Sequence, residues 1–452
     1  MTKRAISATY LTGLTVQNAK SFKGRQQLDL CDSRGNPSRW TLILGENGVG
    51  KTTLLQCIAA TAPHKNAESS NGGSGASPKF FLEAVGVIDD SVVKLLARDG
   101  NGEFAILSTY AENTRLGGTS ERKPKTFEVG MRFSSSKDGD SFQSVIANET
   151  ADPEPLVLSY GAGRKMGTGN LDDASPDALE GALFRDEREL VDAEELIQQL
   201  DYSAVKRKTK LARRQRDTFL AMLAQLLPDV ESAENFVIYG PSPVGRHLKS
   251  GVHVRVPYGE VPLGLLSFGY QTMIAWLADI AWQLFRHYPD SSHPLGQPAI
   301  VLVDEIDLHL HPRWQRELQK LLSGHFPAVQ FVATAHSPLM AQASIGQNLA
   351  VVLRDGDTAC IHNDPSVIDN WRIDQVVTSE LFGLAPWSPD VQEKLDEQAQ
   401  LVQNPERTSR DNRRLKQLEH FASSLPTGLP PALEQAMDII QRAASAIGRP
   451  KS

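Results

Sequence analysis

The chain has 452 residues, 40% of them hydrophobic and 22% charged, with a formal net charge of −7. That is a globular composition, and its acidic balance excludes a uniformly basic nucleic-acid coat, so any such contact must come from a local patch. Three cysteines without paired spacing, Cys31, Cys57 and Cys360, exclude a disulfide framework and a zinc cluster and fit a reducing cytosol.

Taken in chain order, "MTKRAISATYLTGLTVQNAK" has no apolar core suited to a signal peptide. No stretch reaches the ~20 apolar residues of a membrane span. A soluble, cytoplasmic protein without membrane contact is expected. "LTVQNAKSFKGRQQLDL" alternates as a strand pair around Phe22–Gly24. "WTLILGENGVGKTTLLQCIAA" reads as a buried strand, a glycine-rich loop and a helix. "APHKNAESSNGGSGASPK" reads as a loop, and Phe80 to Ile146 as short antiparallel strands. "PLVLSYGAGRK" is a strand ending in a glycine turn with Arg164 and Lys165, which either reach a phosphate or lie in a solvated turn. "MGTGNLDDASPDALEG" is a linker by composition.

From about Glu187 to Leu227 apolar residues recur at helical spacing, among them Leu190, Leu196, Ile197, Leu200, Phe219 and Leu223. Between them lies the basic run Lys206–Arg216. It is either a solvated helix face or a sequence-independent contact to nucleic-acid phosphates. Strands "NFVIYG" and "VHVRVP" come next. "AIVLV" and "VQFVATA" are continuous apolar runs, as in parallel strands buried on both faces. Past Asp364 the chain turns helical and polar. The expected division is 1–165 for the first part of a core domain, 166–235 for a helical insertion, 236–364 for the second part of the core, and 365–452 for a helical tail.

Three stretches carry chemistry. "GENGVGKT" matches the phosphate-binding loop pattern, with a strand before and a helix after. Gly45, Glu46, Asn47, Gly48, Val49, Gly50, Lys51, Thr52 and Thr53 are the expected nucleotide contacts. Backbone amides face the phosphates, Lys51 reaches the β/γ oxygens, and the Thr52 hydroxyl takes a Mg²⁺ position. "AIVLVDEID" ends a strand in Asp304, suited to hold Mg²⁺, and Glu305. Strand alternation turns Glu305 the other way, suited to orient the attacking water as general base. "FVATAHSPLM" ends a strand in His336, a donor for charge developing on a γ-phosphate. The expected cofactors are therefore ATP and Mg²⁺. A fourth stretch, Leu266–Gln271 in "LLSFGYQTMIAWLADIAWQLF", is a small-residue turn before an apolar helix, 272–285, whose N-terminus suits an anion.

In this order the loop, the "LSFGYQ" turn, the Asp-Glu strand and the His-Ser strand resemble ABC-type ATPases. More closely, "VPLGLLSFGYQTMIAWLADIAWQL", "IVLVDEIDLHLHPRWQRELQKLL" and "FPAVQFVATAHSPLM" look like the bacterial RecF/SMC-like ATP-binding proteins. These include the AAA-type "predicted virulence-associated" ATPases and the ATPase subunits of anti-phage systems such as Septu and some retrons. The resemblance covers residues 11–60 and about 155–384. It implies an α/β fold, an ABC-type P-loop NTPase with a mostly parallel core sheet, an antiparallel lobe, a helical insertion and a helical C-terminal tail.

It also implies that Ser267 and Gly269 act in trans on the γ-phosphate bound to a second copy, so that ATP holds together a homodimer or a higher homo-oligomer. Phe268 and Tyr270 depart from the transporter form of that turn. "DLHLHP", with Asp307, His309 and His311, resembles a loop that crosses to the other protomer, against the reading of an H-x-H metal pair. Lys23 falls where such ATPases often carry an Arg near the base or phosphates. The tail shows no catalytic cluster of its own, and "RIDQVVTSELFGL" resembles a packing helix. The implied function is an ATP-hydrolysing sensor or regulator of a separate effector, a nuclease, in anti-phage defence or DNA maintenance. The alternatives are the nucleotide-binding subunit of a membrane transporter and a scaffold that binds ATP without hydrolysing it. Gly45 and Leu266 stand nearly half the chain apart with a basic helical arm between them, against the transporter reading.

Overall fold

In the computed structural model the described residues are 8–64, 79–80, 96, 104–114, 116, 125–136, 139–147, 155–169, 171, 183–184, 189–206, 209–227, 229–240, 250–344, 347–363, 388–404, 407–423 and 425. The elements run β1 Ala8–Gln17, β2 Arg25–Asp29, β3 Trp40–Gly45, α1 Lys51–Ala60, β4 Phe104–Thr114, β5 Thr126–Ser136, β6 Gly139–Ala147, β7 Val157–Tyr160, β8 Lys165–Gly169 and β9 Glu189–Val191. They continue with α2 Ala193–Lys206, α3 Lys210–Ala224, β10 Phe236–Tyr239, β11 Gly251–Val256, β12 Gly259–Pro262, α4 Phe268–His287 and β13 Ala299–Val303. After these come α5 Pro312–His325, β14 Val329–Ala335, α6 Pro338–Ala343, β15 Asn348–Asp355, β16 Thr358–Asn363, α7 Pro389–Gln403 and α8 Ser409–Ser423.

Among the described residues the central sheet has six strands in the order β16-β15-β3-β14-β13-β7. All its pairings are parallel except that of the edge strand β16 with β15. The continuous apolar runs of β3, β13 and β14 are what such a position needs, because alternate side chains enter different cores. Leu42 and Leu44 of β3, Val301 and Val303 of β13 and Phe331 and Ala333 of β14 face one core, with α2 to α5. Ile43, Ile300, Leu302 and Val332 face the other, shared with β1, α1 and the antiparallel lobe.

That lobe is a five-stranded sheet, β2-β1-β4-β5-β6, antiparallel throughout. One buried side chain ties it to the parallel sheet. Gln330 of β14 accepts from the Leu11 amide at 2.9 Å and donates to the carbonyls of Leu11 at 2.8 Å and Ser38 at 3.0 Å. It thereby pairs backbone groups of β1 that the sheet ladder leaves over.

Residues 193–227 form the expected helical pair, but the first helix starts later than its apolar spacing predicts. Leu190 lies in β9, and the Asp192 carboxylate accepts the Glu194 amide at 2.8 Å, so α2 begins at Ala193. Nor is the whole of 166–181 a linker. Residues 165–169 are β8, paired in parallel with β9, whose Leu190 is buried in the core. Apart from Leu171, which is buried in the same core, the rest of that stretch lies outside the described residues, as do most of "APHKNAESSNGGSGASPK" and all of "RIDQVVTSELFGL". The small sheet β10-β11-β12 precedes α4.

Compact contacts divide the chain at Phe382/Gly383. In the second unit α7 and α8 are joined by Arg414, which donates to both carboxylate oxygens of Glu397 at 2.8 and 2.7 Å, and by Lys394 over the Phe421 ring at 4.6 Å. No described helix is long and apolar enough to cross a membrane.

Replacing Gln330 by Ala strands a buried amide and two buried carbonyls. The variant is expected to lose about 2–3 kcal/mol of stability, read as a lower urea midpoint at unchanged slope.

Candidate nucleotide site

β3 delivers the glycine loop to the carboxyl edge of the sheet. Gly50 caps α1 at φ 107°, and a Cβ there would lie 2.2 Å from Ser21 Oγ. Only glycine fits both the conformation and the approach. α1 has no acidic residue in its first turn, so its amide end keeps its attraction for an anion. Lys51 is buried, and its ammonium donates to the carbonyls of Gly45 at 2.8 Å and Glu46 at 2.7 Å, folding the side chain back along the loop. Burial pushes Lys51 down to about 8, against the opposing pull of Asp304, Glu305, Asp307 and Glu46.

The carboxylate of Asp304 is the hinge of the site. It accepts from Thr52 Oγ1 at 2.8 Å and from Thr334 Oγ1 at 2.6 Å. A hydroxyl and a carboxylate oxygen side by side suit a hard cation that also takes phosphate oxygens and water, and Thr52 with Asp304 fits Mg²⁺ on that ground. Among the described residues no group of three His, Cys, Asp or Glu side chains is arranged to hold a metal on its own, the His309–His311 pair included.

Glu305 reaches the site by a different route from the one expected. β13 has ended at Val303, and Glu305 takes left-handed backbone geometry at φ 46° instead of strand alternation. Its amide donates to Thr334 Oγ1 at 2.8 Å. Its carboxylate lies 3.8 Å from His336 Nε2, and the other ring nitrogen of His336 is 3.5 Å from Lys51 Nζ. The His336 amide donates to Asp307 at 3.0 Å.

Asn47, Gly48, Gly50, Lys51, Thr52, Thr53, Asp304, Glu305 and His336 line one cavity of about 400 Å³ together with Lys20 and Ser21. Val49 is buried beneath the loop, with its carbonyl accepting from Ser21 Oγ at 3.0 Å, and Glu46 is exposed. Lys23, another expected contact, also lies outside the cavity lining. It is exposed, 3.9 Å from Asp357, and its backbone amide donates to Thr358. The cause is the turn after β1, where Asn18 and Lys20 have positive φ and the Phe22 amide closes on Ala19. The turn brings Lys20 to the cavity and sends Lys23 to the far side of the hairpin. Sequence reasoning misses both Lys20 and Thr334. The signal for Thr334 is its place two residues before His336 in a strand, on the same side as the Asp304 carboxylate.

Ser267 and Gly269 do not line this cavity. Ser267 caps α4 without a side-chain capping bond and is exposed, as are Leu265 and Phe268. The helix starts at Phe268, so Phe268–Gln271 form its first turn. The departures from the transporter pattern have partners within the chain. The Phe268 ring meets His309 edge-on at 5.0 Å, and Tyr270 Oη is 3.5 Å from Trp314 Nε1. A Cβ on Gly269 would lie 2.5 Å from the His309 carbonyl.

A glycine loop of the phosphate-binding pattern at the carboxyl end of a central parallel strand, a carboxylate pair one strand removed, and a helix start with Ser267 exposed define an ABC-type P-loop ATPase. A family model described as AAA domain, putative AbiEii toxin, Type IV TA system, matches residues 41–341, and the chain belongs to that family. It is 26% identical to the Septu protein PtuA of Bacillus mycoides (strain KBAB4) over 420 residues, 91% of this chain and 50% of that protein. It is 40% identical over 93 residues to the Retron Vc95 probable ATPase of Vibrio cholerae serotype O1 biovar El Tor, 21% of this chain and 18% of that one. The chain thus spans half, or less, of the length of these curated relatives. Among solved structures, the SMC head domain from Thermotoga maritima aligns at 15% identity over 78% of this chain and 99% of that one, with a TM-score of 0.39.

Lys20→Ala is expected to weaken ATP binding several-fold and Lys23→Ala to leave it unchanged, as measured by displacement of a fluorescent nucleotide.

Proposed function

We propose that the chain hydrolyses ATP with Mg²⁺, that two copies close around the nucleotide, and that this cycle regulates a separate effector, a nuclease, in anti-phage defence or DNA maintenance. The observation that carries the reading is a division of labour within one chain. Lys51, Thr52, Asp304, Glu305 and His336 surround one cavity, while Ser267 stands exposed outside it and Gly269, half-buried, follows it in the first turn of α4. In this reading Lys51 and the loop amides bind the β- and γ-phosphates. Thr52 and Asp304 hold Mg²⁺, which neutralises charge on the phosphate oxygens. Glu305 orients the attacking water and accepts its proton. His336 donates to the γ-phosphate as charge develops, and Ser267 and the first turn of α4 from a second copy complete the phosphate shell.

The relatives named Septu protein PtuA and Retron Vc95 probable ATPase support the defence setting. The two helices α2 and α3, lying between the loop and α4 in sequence, favour this reading over a transporter subunit. The presence of Glu305 and His336 at the cavity favours turnover over a passive scaffold. Nucleic acid would meet α3. Arg216 is paired with Asp201 and Asp217, both at 2.8 Å, and Lys206 stacks on Tyr202 at 4.9 Å. Lys210, Arg213 and Arg214 are exposed, and the contact is assigned to them.

Glu305→Gln is expected to lower turnover by about 100-fold or more, to retain ATP, and to sediment as a dimer only when ATP is present. Unchanged sedimentation with ATP would remove the trans role of Ser267. Charge reversal at Lys210, Arg213 and Arg214 is expected to weaken nucleic-acid binding at low salt and to flatten its salt dependence. An unaffected interaction would make this face merely solvated.

A further inference from the structure

The turn after β7 holds a side chain to which the mechanism above gives no task. Arg164 points its guanidinium away from solvent, under the end of β13. One terminal nitrogen donates to the carbonyls of Asp304 at 2.6 Å and Gly161 at 3.1 Å, and the other donates to the carbonyl of Glu305 at 2.9 Å. Its face rests 5.9 Å from the ring of Trp276 in α4.

These bonds fall on an unusual backbone. A glutamate at φ 46° is strained by its Cβ and keeps that conformation only if its surroundings impose it. Both peptide units that flank the Glu305 Cα are held at both polar ends. In the unit before it, the Asp304 carbonyl accepts from Arg164 and the Glu305 amide donates to Thr334 Oγ1. In the unit after it, the Glu305 carbonyl accepts from Arg164 and the Ile306 amide donates to the Thr334 carbonyl at 2.9 Å. Arg164 and Thr334 therefore hold both peptide units around Glu305, and the Leu308 amide, which donates to the Glu305 carbonyl at 3.0 Å, is a further hold on the second. Thr334 lies in the sheet and is rigid. Arg164 supplies the only side-chain fork among them, and a planar fork spans two carbonyls where an ammonium would hold one.

We propose that Arg164 is a positioning residue for ATP hydrolysis: its guanidinium clamps the carbonyls on either side of Glu305 and so aims that carboxylate into the cavity. The inference rests on Glu305 acting as the base. Through Trp276 the clamp also leans on the helix that carries Ser267 and Gly269, so the aim of the base in one site is tied to the helix offered to the other.

The test measures nucleotide binding and single-turnover hydrolysis in wild type, Arg164→Lys, Arg164→Ala, Glu305→Gln and the double variant Arg164→Ala/Glu305→Gln, in the full chain with Mg²⁺. A misaimed base costs on the order of 100-fold in rate, so Arg164→Ala should fall by about that factor while its ATP affinity stays within about two-fold. Arg164→Lys should be intermediate, and added guanidinium ion should restore part of the rate to Arg164→Ala but none to Arg164→Lys. The double variant should hydrolyse ATP no more slowly than Glu305→Gln alone, because a clamp with nothing to aim has no effect. A full Arg164→Ala loss on top of Glu305→Gln, or a parallel loss of ATP affinity, would overturn the clamp in favour of direct phosphate contact or general structural damage. Wild-type rate in Arg164→Ala would overturn it too. Failure of the underlying reading looks different, since wild type and Glu305→Gln would then turn over alike.

Discussion

Parallel pairing of β3, β14 and β13 is the constraint on which the site depends. The register sets Leu44 beside Ala335 and Ala333 beside Val303, so the three strands run out at one edge within a few residues of each other. The chemistry sits just past each strand end: the glycine loop after β3, His336 after β14, Asp304 and Glu305 after β13. Crossover connections make such a sheet possible only when both faces are covered. The two cores, one under α2 to α5 and one under the antiparallel lobe, therefore belong to the site as much as its polar residues do. Slippage of β13 by one residue would exchange its core faces and remove Asp304 from Thr52 and Thr334 together.

The contiguous parts of this arrangement are legible in the sequence. The glycine loop, the Asp-Glu strand end and the His strand end each lie within ten residues, and each joins a buried apolar run to a polar terminus, which is the pattern of a parallel strand meeting its loop. The antiparallel lobe comes from the short alternating segments between Phe80 and Ile146, and the fold class from the resemblance to ABC-type ATPases that those stretches carry. The parts that could not be read depend on backbone conformation or on contacts between distant segments. Lys20 and Lys23 differ only in which side of a tight turn they leave, and that is set by positive φ at Asn18 and Lys20. Glu305 points where it does because its backbone is left-handed, not because strands alternate. Leu190 has helical spacing to Leu196 and Ile197, but the carboxylate of Asp192 starts the helix after it. Arg164 reads in sequence as a cation in a glycine turn, and nothing local says that its partners are carbonyls some 140 positions away.

Phe268 and Tyr270 show how a departure from a motif can be structural. Both pack on the segment that comes after the carboxylates, the first on His309 and the second near Trp314. Gly269 closes on the same segment. The helix start that carries Ser267 is therefore seated on the chain that leaves Asp304 and Glu305, and a movement of either has a direct mechanical path to the other.

The Ser21 hydroxyl bonded to the Val49 carbonyl, together with the Gln330 side chain gripping β1, has a consequence for dissecting this protein. Part of the cavity wall, Lys20 and Ser21, is contributed by the hairpin upstream of the glycine loop, and that hairpin is held by a strand near the other end of the core. A graft or truncation that begins at Trp40 would transplant every motif residue and still leave the pocket open on one flank. The minimal portable module is thus discontinuous in sequence, and shortening the chain from the front dismantles the nucleotide's berth before it touches a single motif.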